Sequence, residues 1–283
     1  MSKRKYEFDE QKLARFIKEG RGLGTGADYK PWLTIQDVPS EGLATRVPGI
    51  KNKRLHHALS GLERNLIILL DWSDAVADIR EQFPLDRDIT RQIADSMGVA
   101  HPKDPRTRVD IVMTSDVLID FHHSLKRAPF ASAVKESSTL DDPRVIEKLE
   151  IERRYWAQQT EKTDWSITTE KELPKQRIAN IAWAREMYTF DKQVVQYDGY
   201  WDDRCSHFLS MLSALPNSTP LKQLLHALET QYNFSSGEGL TVFRHLIATK
   251  VVSINMDQPF SASKIQVGEI QVAQKGGSSW KVA

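Results

Sequence analysis

An α/β core followed by a mainly helical second domain is the fold class this sequence predicts, and two observations predict it. Between residues 55 and 169, alternating and helical patterns interleave in the order helix, three strands, helix, strand, which implies a small mixed sheet flanked by helices. Beyond Lys171 the pattern turns helical, placing a boundary near residue 170 in a chain of 283 residues, long enough for two domains. The expected domains are therefore 1–170 and 171–283.

The elements follow in order. Phe8, Leu13, Phe16 and Ile17 mark a short helix stopped by Gly20. GRGLGTG at 20–26 follows that helix rather than a strand and lacks a closing GK[ST], so it reads as a mobile loop and not a phosphate cradle. Leu59, Leu62, Leu66, Ile67 and Leu70 give a strong helix over 55–72. Strands are expected at 76–83, 109–121 and 129–137, the last two joined by the polar turn HHSLKRA as a hairpin. Asp142 is placed to cap a helix from Pro143 to about Gln158, and a last strand covers 164–169.

In the second half, residues 175–188 and 200–215 each read as a helix, and Thr219–Pro220 opens another. Ser235 and Glu238 stand at capping-box spacing before Leu240, Phe243, Leu246 and Ile247, and VVSIN at 251–255 reads as a strand. Helix, turn, helix, strand is the outline of a winged helix. QKGGSSWKVA reads as a flexible tail exposing Trp280.

Composition narrows the class. With 40% hydrophobic and 27% charged residues the chain is an ordinary globular protein. No apolar run is long enough for a membrane span, and MSKRKYEFDE lacks the apolar stretch of a signal peptide, so the cytoplasm is the expected compartment. The single Cys205 excludes an internal disulfide framework and a cysteine-based zinc site. Residues 1–60 carry 12 Lys and Arg against 7 Asp and Glu, a net +5 on a body of −4. A basic arm of this kind suits contact with phosphate, and equally suits a solvated terminus.

Three residues could carry chemistry. Glu63 lies on the apolar face of its helix, where a carboxylate must be neutral, paired with a buried arginine, hydrogen-bonded or bound to a cation. Asp116 sits in an alternating strand, and Lys135 on the next. In a hairpin both can emerge on one side, and the Glu63 helix can pack across it. Two carboxylates and an ammonium are what metal-assisted phosphodiester hydrolysis needs: the carboxylates hold Mg²⁺, and the lysine orients water or stabilises developing charge. His56 and His57 read as surface histidines near the helix start, and His122 and His123 fall in the hairpin turn without a metal-ligand set. Glu152 could support the site or pair with Arg153 or Arg154. No Ser/His/Asp or Cys/His arrangement stands out.

The segments IKEGRGLGTGADYKPWLTIQDVP, HHALSGLE, DIREQFPL and EKLEIERRYW closely resemble the TnsA family, endonuclease subunits of heteromeric bacterial transposases of the Tn-seven type. The likeness is dense over residues 8–160 and fainter through WSITTEKEL and the C-terminal half. It implies a restriction-endonuclease-like core with a PD-(D/E)xK type site, then a winged-helix-like domain. It further implies Mg²⁺ (or Mn²⁺ in its place), cleavage of the 5′ strands at transposon ends, a TnsB-like partner acting on the 3′ ends, and a TnsC-like ATP-binding regulator met through the C-terminal domain or tail. By position, the family's acidic residues fall on Glu63 and Asp116 and its lysine on Lys135. One departure is Ala133, where the family can carry a polar side chain; the backbone carbonyl of Val134, or water, must then replace that ligand. Ala133 also leaves room for an architectural, catalytically attenuated subunit as the alternative. A stand-alone restriction-like nuclease would instead need its own sequence specificity. Lys222, Arg244 and Lys250 offer the C-terminal domain only a modest positive face, which favours protein contacts over DNA there.

Overall fold

The computed structural model describes residues 6–38 and 44–273. The chain divides into two compact units, Met1–Leu173 and Pro174–Ala283.

The first unit opens with α1 (Glu10–Lys18), capped by the Asp9 carboxylate, which accepts from Lys12 N–H. Phe16 is fully buried and joins Phe8 and Trp32 in a small cluster with Val109, Ile111 and Val112. Ile17 is exposed, so the apolar stripe of this helix is narrower than its pattern suggests. The glycine segment that follows is tied down. Gly22 N–H donates to the Lys30 carbonyl across it, and Gly26 N–H donates to the Asp78 carboxylate at 2.7 Å. Gly22 has φ +80°, and a side chain there would strike Pro84, so the backbone approaches the sheet at a point where only glycine fits. The expectation of a mobile loop is corrected: the segment is hydrogen-bonded across itself and to Asp78, and Gly22 and Gly24 allow close packing.

Two short antiparallel strands, β1 (Thr45–Pro48) and β2 (Leu55–Ala58), precede α2 (Gly61–Trp72). The helix expected from residue 55 therefore starts six residues later. Ser60 is its cap, accepting from Glu63 N–H, and β2 uses 55–58 for pairing instead.

The central sheet has four strands in sequence order: β3 (Val76–Pro84), β4 (Thr114–Phe121), β5 (Phe130–Val134) and β6 (Asp164–Thr168). Between β3 and β4 runs α3 (Arg87–Met97), which pattern reading misses, although Asp86 caps it and Gly98 ends it in a left-handed turn. The first three strands are antiparallel, and β5 and β6 are parallel because α4 (Pro143–Ala157) crosses over between them. β4 begins at Thr114, five residues later than expected, since Val109–Val112 pack on the α1 cluster instead. Asp142 caps α4 as expected. Ile93, Ala94, Leu118, Ala131, Ile151 and Trp156 form the core joining α3 and α4 to the sheet.

The second unit contains α5 (Lys175–Arg185), α6 (Tyr200–Ala214), α7 (Leu221–Gln231), α8 (Glu238–Ala248) and two-residue strands β7 (Val252–Ser253) and β8 (Gln271–Val272), which pair antiparallel. Gly237, not Ser235, is the α8 cap. Only half of the expected capping exchange forms, Ser235 N–H donating to Glu238 at 2.9 Å. Glu238 instead faces Tyr200 and Arg204 of α6, which draw its carboxylate inward. Val242, Phe243, Leu246 and Ile247 of α8 are buried, making it the centre of the unit. No helix among the described residues is long and apolar enough to cross a membrane. The tail with Trp280 lies outside the described residues.

Candidate active site

Asp116 projects from the middle of β4, and its carboxylate is held from the neighbouring strand. Oδ2 accepts the Val134 N–H at 2.7 Å and the Lys135 ammonium at 2.8 Å. Lys135 follows directly on β5, where its own N–H is tied to the Thr168 carbonyl of β6. Its Nζ also donates to the Val134 carbonyl at 3.0 Å, so one ammonium spans a carboxylate and a backbone oxygen. Ala133 is fully buried in β5 opposite Ile167 and offers no ligand side chain.

Glu63 arrives from the first turn of α2. The capping of Ser60 fixes where that turn begins, and Glu63 Oε2 accepts the Leu59 N–H at 3.0 Å. Gln82 of β3 joins the two acids: its Nε2 donates to Glu63 Oε2 at 3.2 Å and to Asp116 Oδ1 at 3.4 Å. The sequence-predicted trio thus meets at one place, with Gln82 as a fourth member that pattern reading overlooks. Glu63 is partnered here by an amide and a backbone N–H rather than by an arginine.

Electrostatics follow from this geometry. Burial, then the adjacent Asp116 charge, pushes Glu63 up to about 7, far above an ordinary carboxylate. Burial by itself would lower the Lys135 ammonium, yet the Asp116 carboxylate outweighs it and holds the group above its usual value. Behind the strand, Glu152 of α4 is buried and accepts from Ser115 Oγ at 2.6 Å and Trp165 Nε1 at 3.0 Å. Burial and the charge of Asp116 raise it too, to about 7. Arg153 and Arg154 turn away from Glu152 and pair with Glu150, because helical spacing puts Glu150 on their exposed side.

The histidines divide. His56 is fully buried, its Nδ1 2.9 Å from Glu81 Oε2, which corrects the surface reading. Arg54 grips the same Glu81 through both carboxylate oxygens, at 2.7 and 2.6 Å. This buried knot fastens β2 to β3 beside Gln82. His57 is half-buried, and His122 and His123 are exposed in the hairpin turn. Arg21 is structural as well, since it pairs with Glu19 and Asp37 and lies 3.6 Å from the Phe16 ring centre. Part of the basic N-terminal charge is thereby neutralised inside the unit. Among the described residues, no group of three or more His, Cys, Asp or Glu side chains is arranged to hold a metal.

Two sequence families match the chain back to back. Residues 73–170 match the TnsA-like endonuclease N terminal family, and residues 172–256 match the TnsA endonuclease C terminal family. The chain is also 38% identical over 273 residues, 93% of each protein, to the transposon Tn7 transposition protein TnsA of Escherichia coli. It belongs to the TnsA endonuclease family. Asp116, Lys135, Gln82 and Glu152 all lie inside the N-terminal family match, whereas Glu63 precedes it. The mixed sheet of this TnsA-family chain, with helices against it and acidic and basic side chains meeting at β4 and β5, fits a restriction-endonuclease-like core.

Proposed function

We propose that this chain is the metal-dependent endonuclease subunit of a transposase, cutting the 5′ strands at transposon ends through Glu63, Asp116 and Lys135. The observation that carries the reading is the meeting of these three side chains, from α2, β4 and the end of β5, around Gln82.

The residues present suit a hard divalent cation. The Lys135 ammonium already rests between Asp116 Oδ2 and the Val134 carbonyl, so two oxygens of the set are arranged around positive charge. Asp116, Glu63 and the Val134 carbonyl would hold Mg²⁺, or Mn²⁺ in its place, with water filling the shell as magnesium tolerates. When bound, the ion neutralises charge on the scissile phosphate and lowers the pKa of a water. Lys135, released from the Val134 carbonyl, then directs its ammonium to the charge that builds up on the phosphate. Glu63, raised to about 7, would be protonated in about half of the molecules at neutral pH and would give up that proton on holding the cation.

The second unit is read as winged-helix-like in element order and as a protein-binding module. Its α8, in the place of a DNA-reading helix, is buried within the unit, which leaves little of it to enter a groove. Its partners are then a TnsB-like transposase, which processes the 3′ strands, and a TnsC-like ATP-binding regulator, in the bacterial cytoplasm. End-labelled transposon DNA incubated with the partner transposase and Mg²⁺ tests the reading. The wild type should cut the 5′ strands, and Asp116→Ala should lower cutting at least about a hundredfold. Equal cutting by both would sink the assignment.

A further inference from the structure

Gln82 occupies an unusual position. It is the only non-glycine residue with positive φ, +50°, inside a strand among the described residues. Its neighbours stay paired, Glu81 with Val117 and Phe83 with Ser115, which sets Gln82 opposite Asp116. A long side chain in this backbone region is disfavoured unless its surroundings hold it there. Here they do: the Gln82 carbonyl accepts the Trp32 N–H at 3.1 Å, and the residue is only 2% exposed. Its side chain is gripped at both ends. Nε2 faces Glu63 and Asp116, while Oε1 accepts from Thr114 Oγ1 at 3.0 Å.

We propose that Gln82 is a cation-site residue of the endonuclease, whose amide supplies the neutral oxygen that Ala133 cannot. The proposal rests on the metal-dependent reading above. Without a cation, the NH₂ group is the right partner for two carboxylates. With a cation between them, a positive amide edge is wrong and the oxygen is right, so the amide turns over. The partner at the other end allows this. A hydroxyl both donates and accepts, so Thr114 Oγ1 bonds the amide oxygen in one state and the amide nitrogen in the other. Neither state leaves a buried polar group unpaired. The left-handed backbone is the cost of setting a reversible amide between the two acids.

The test uses the full chain and Mn²⁺ alone, titrated by electron paramagnetic resonance, with thermal melting as the folding control. Wild type should bind Mn²⁺, and Asp116→Ala should abolish binding. Gln82→Met, of equal length but without an oxygen, should weaken binding about tenfold or more. Gln82→Glu should bind at least as tightly as wild type, because its carboxylate also presents an oxygen to the cation. The proposal is overturned if folded Gln82→Met binds within about twofold of wild type. Should that variant not fold, Gln82→Glu decides, binding at least as tight as wild type upholding the proposal and weaker binding overturning it. Wild type that does not bind Mn²⁺, or binds it equally without Asp116, overturns the metal reading itself and this inference with it.

Discussion

Glu152→Gln offers a clean measure of what burying an acid beside Asp116 costs. In the folded chain Glu152 is raised from an ordinary 4.5 to about 7, mainly by burial and then by the Asp116 charge. Below pH 4.5 the acid is protonated in both folded and unfolded chains and imposes no penalty. As pH rises from 4.5 towards 7 the unfolded chain ionises first, so folding loses stability. Above 7 the loss is complete and constant. A shift of this size corresponds to about 3 kcal/mol at pH 8. Glutamine keeps an oxygen to accept from Ser115 Oγ and Trp165 Nε1 but cannot ionise. Its NH₂ group gains no evident acceptor, which costs about 1 kcal/mol at every pH. The variant should therefore be less stable than wild type by about 1 kcal/mol at pH 4.5 and more stable by about 2 kcal/mol at pH 8. Urea unfolding followed by tryptophan fluorescence suits the assay, because Trp156 and Trp165 lie against this site and report on the first unit. A stability difference that stays the same between pH 4.5 and 8 would refute the reasoning.

Three further perturbations probe other parts of the chain. If Glu63 must ionise to hold a cation, Mn²⁺ binding should release about 0.5 proton at pH 7, about 0.9 at pH 6 and about 0.1 at pH 8. Calorimetry in buffers of different ionisation enthalpy reads this, and a release independent of pH would contradict it. Arg54→Ala leaves the buried Glu81 without its arginine and should destabilise the first unit by about 3–5 kcal/mol in urea unfolding. Despite burial, Arg54 and His56 hold Glu81 down at about 2, so the stability it contributes is present above pH 4.5 and fades as pH falls towards 2. The Arg54→Ala deficit should shrink over that acid range. Gly22→Ala forces a methyl onto Pro84 in a left-handed backbone and should cost at least about 1–3 kcal/mol, whereas Gly20→Ala, with open space around it, should cost less. Thermal melts that rank the two equally would show that the segment is not packed as described.

Much of the candidate site is legible in the amino-acid sequence. The strand carrying Asp116 and the lysine one strand later depend on local alternation, and the Asp142–Pro143 start of α4 depends on local capping, so both survive translation into three dimensions. Expectation and structure part where two local patterns compete. Leu55–Ala58 extends the apolar pattern of α2 but pairs with β1, and only tertiary contacts choose between these. Val109–Val112 alternates like a strand yet packs on Phe16 and Trp32, residues far away in the sequence.

The residues that shape the site's chemistry show the same division. Sequence alone determined that Glu63, an acid on an apolar helix face, would need a special environment, because polarity and helical period are local properties. Tertiary structure decided what that environment is: an amide and a backbone N–H in place of the arginine that could have paired with it. The part played by Gln82 was not readable from the chain. Glutamine in a strand is ordinary until a left-handed backbone, a carbonyl bond from Trp32 and two carboxylates from separate elements meet around it. Spacing along a chain can bring residues to one face of an element, but the approach of three elements is set by packing of the whole unit.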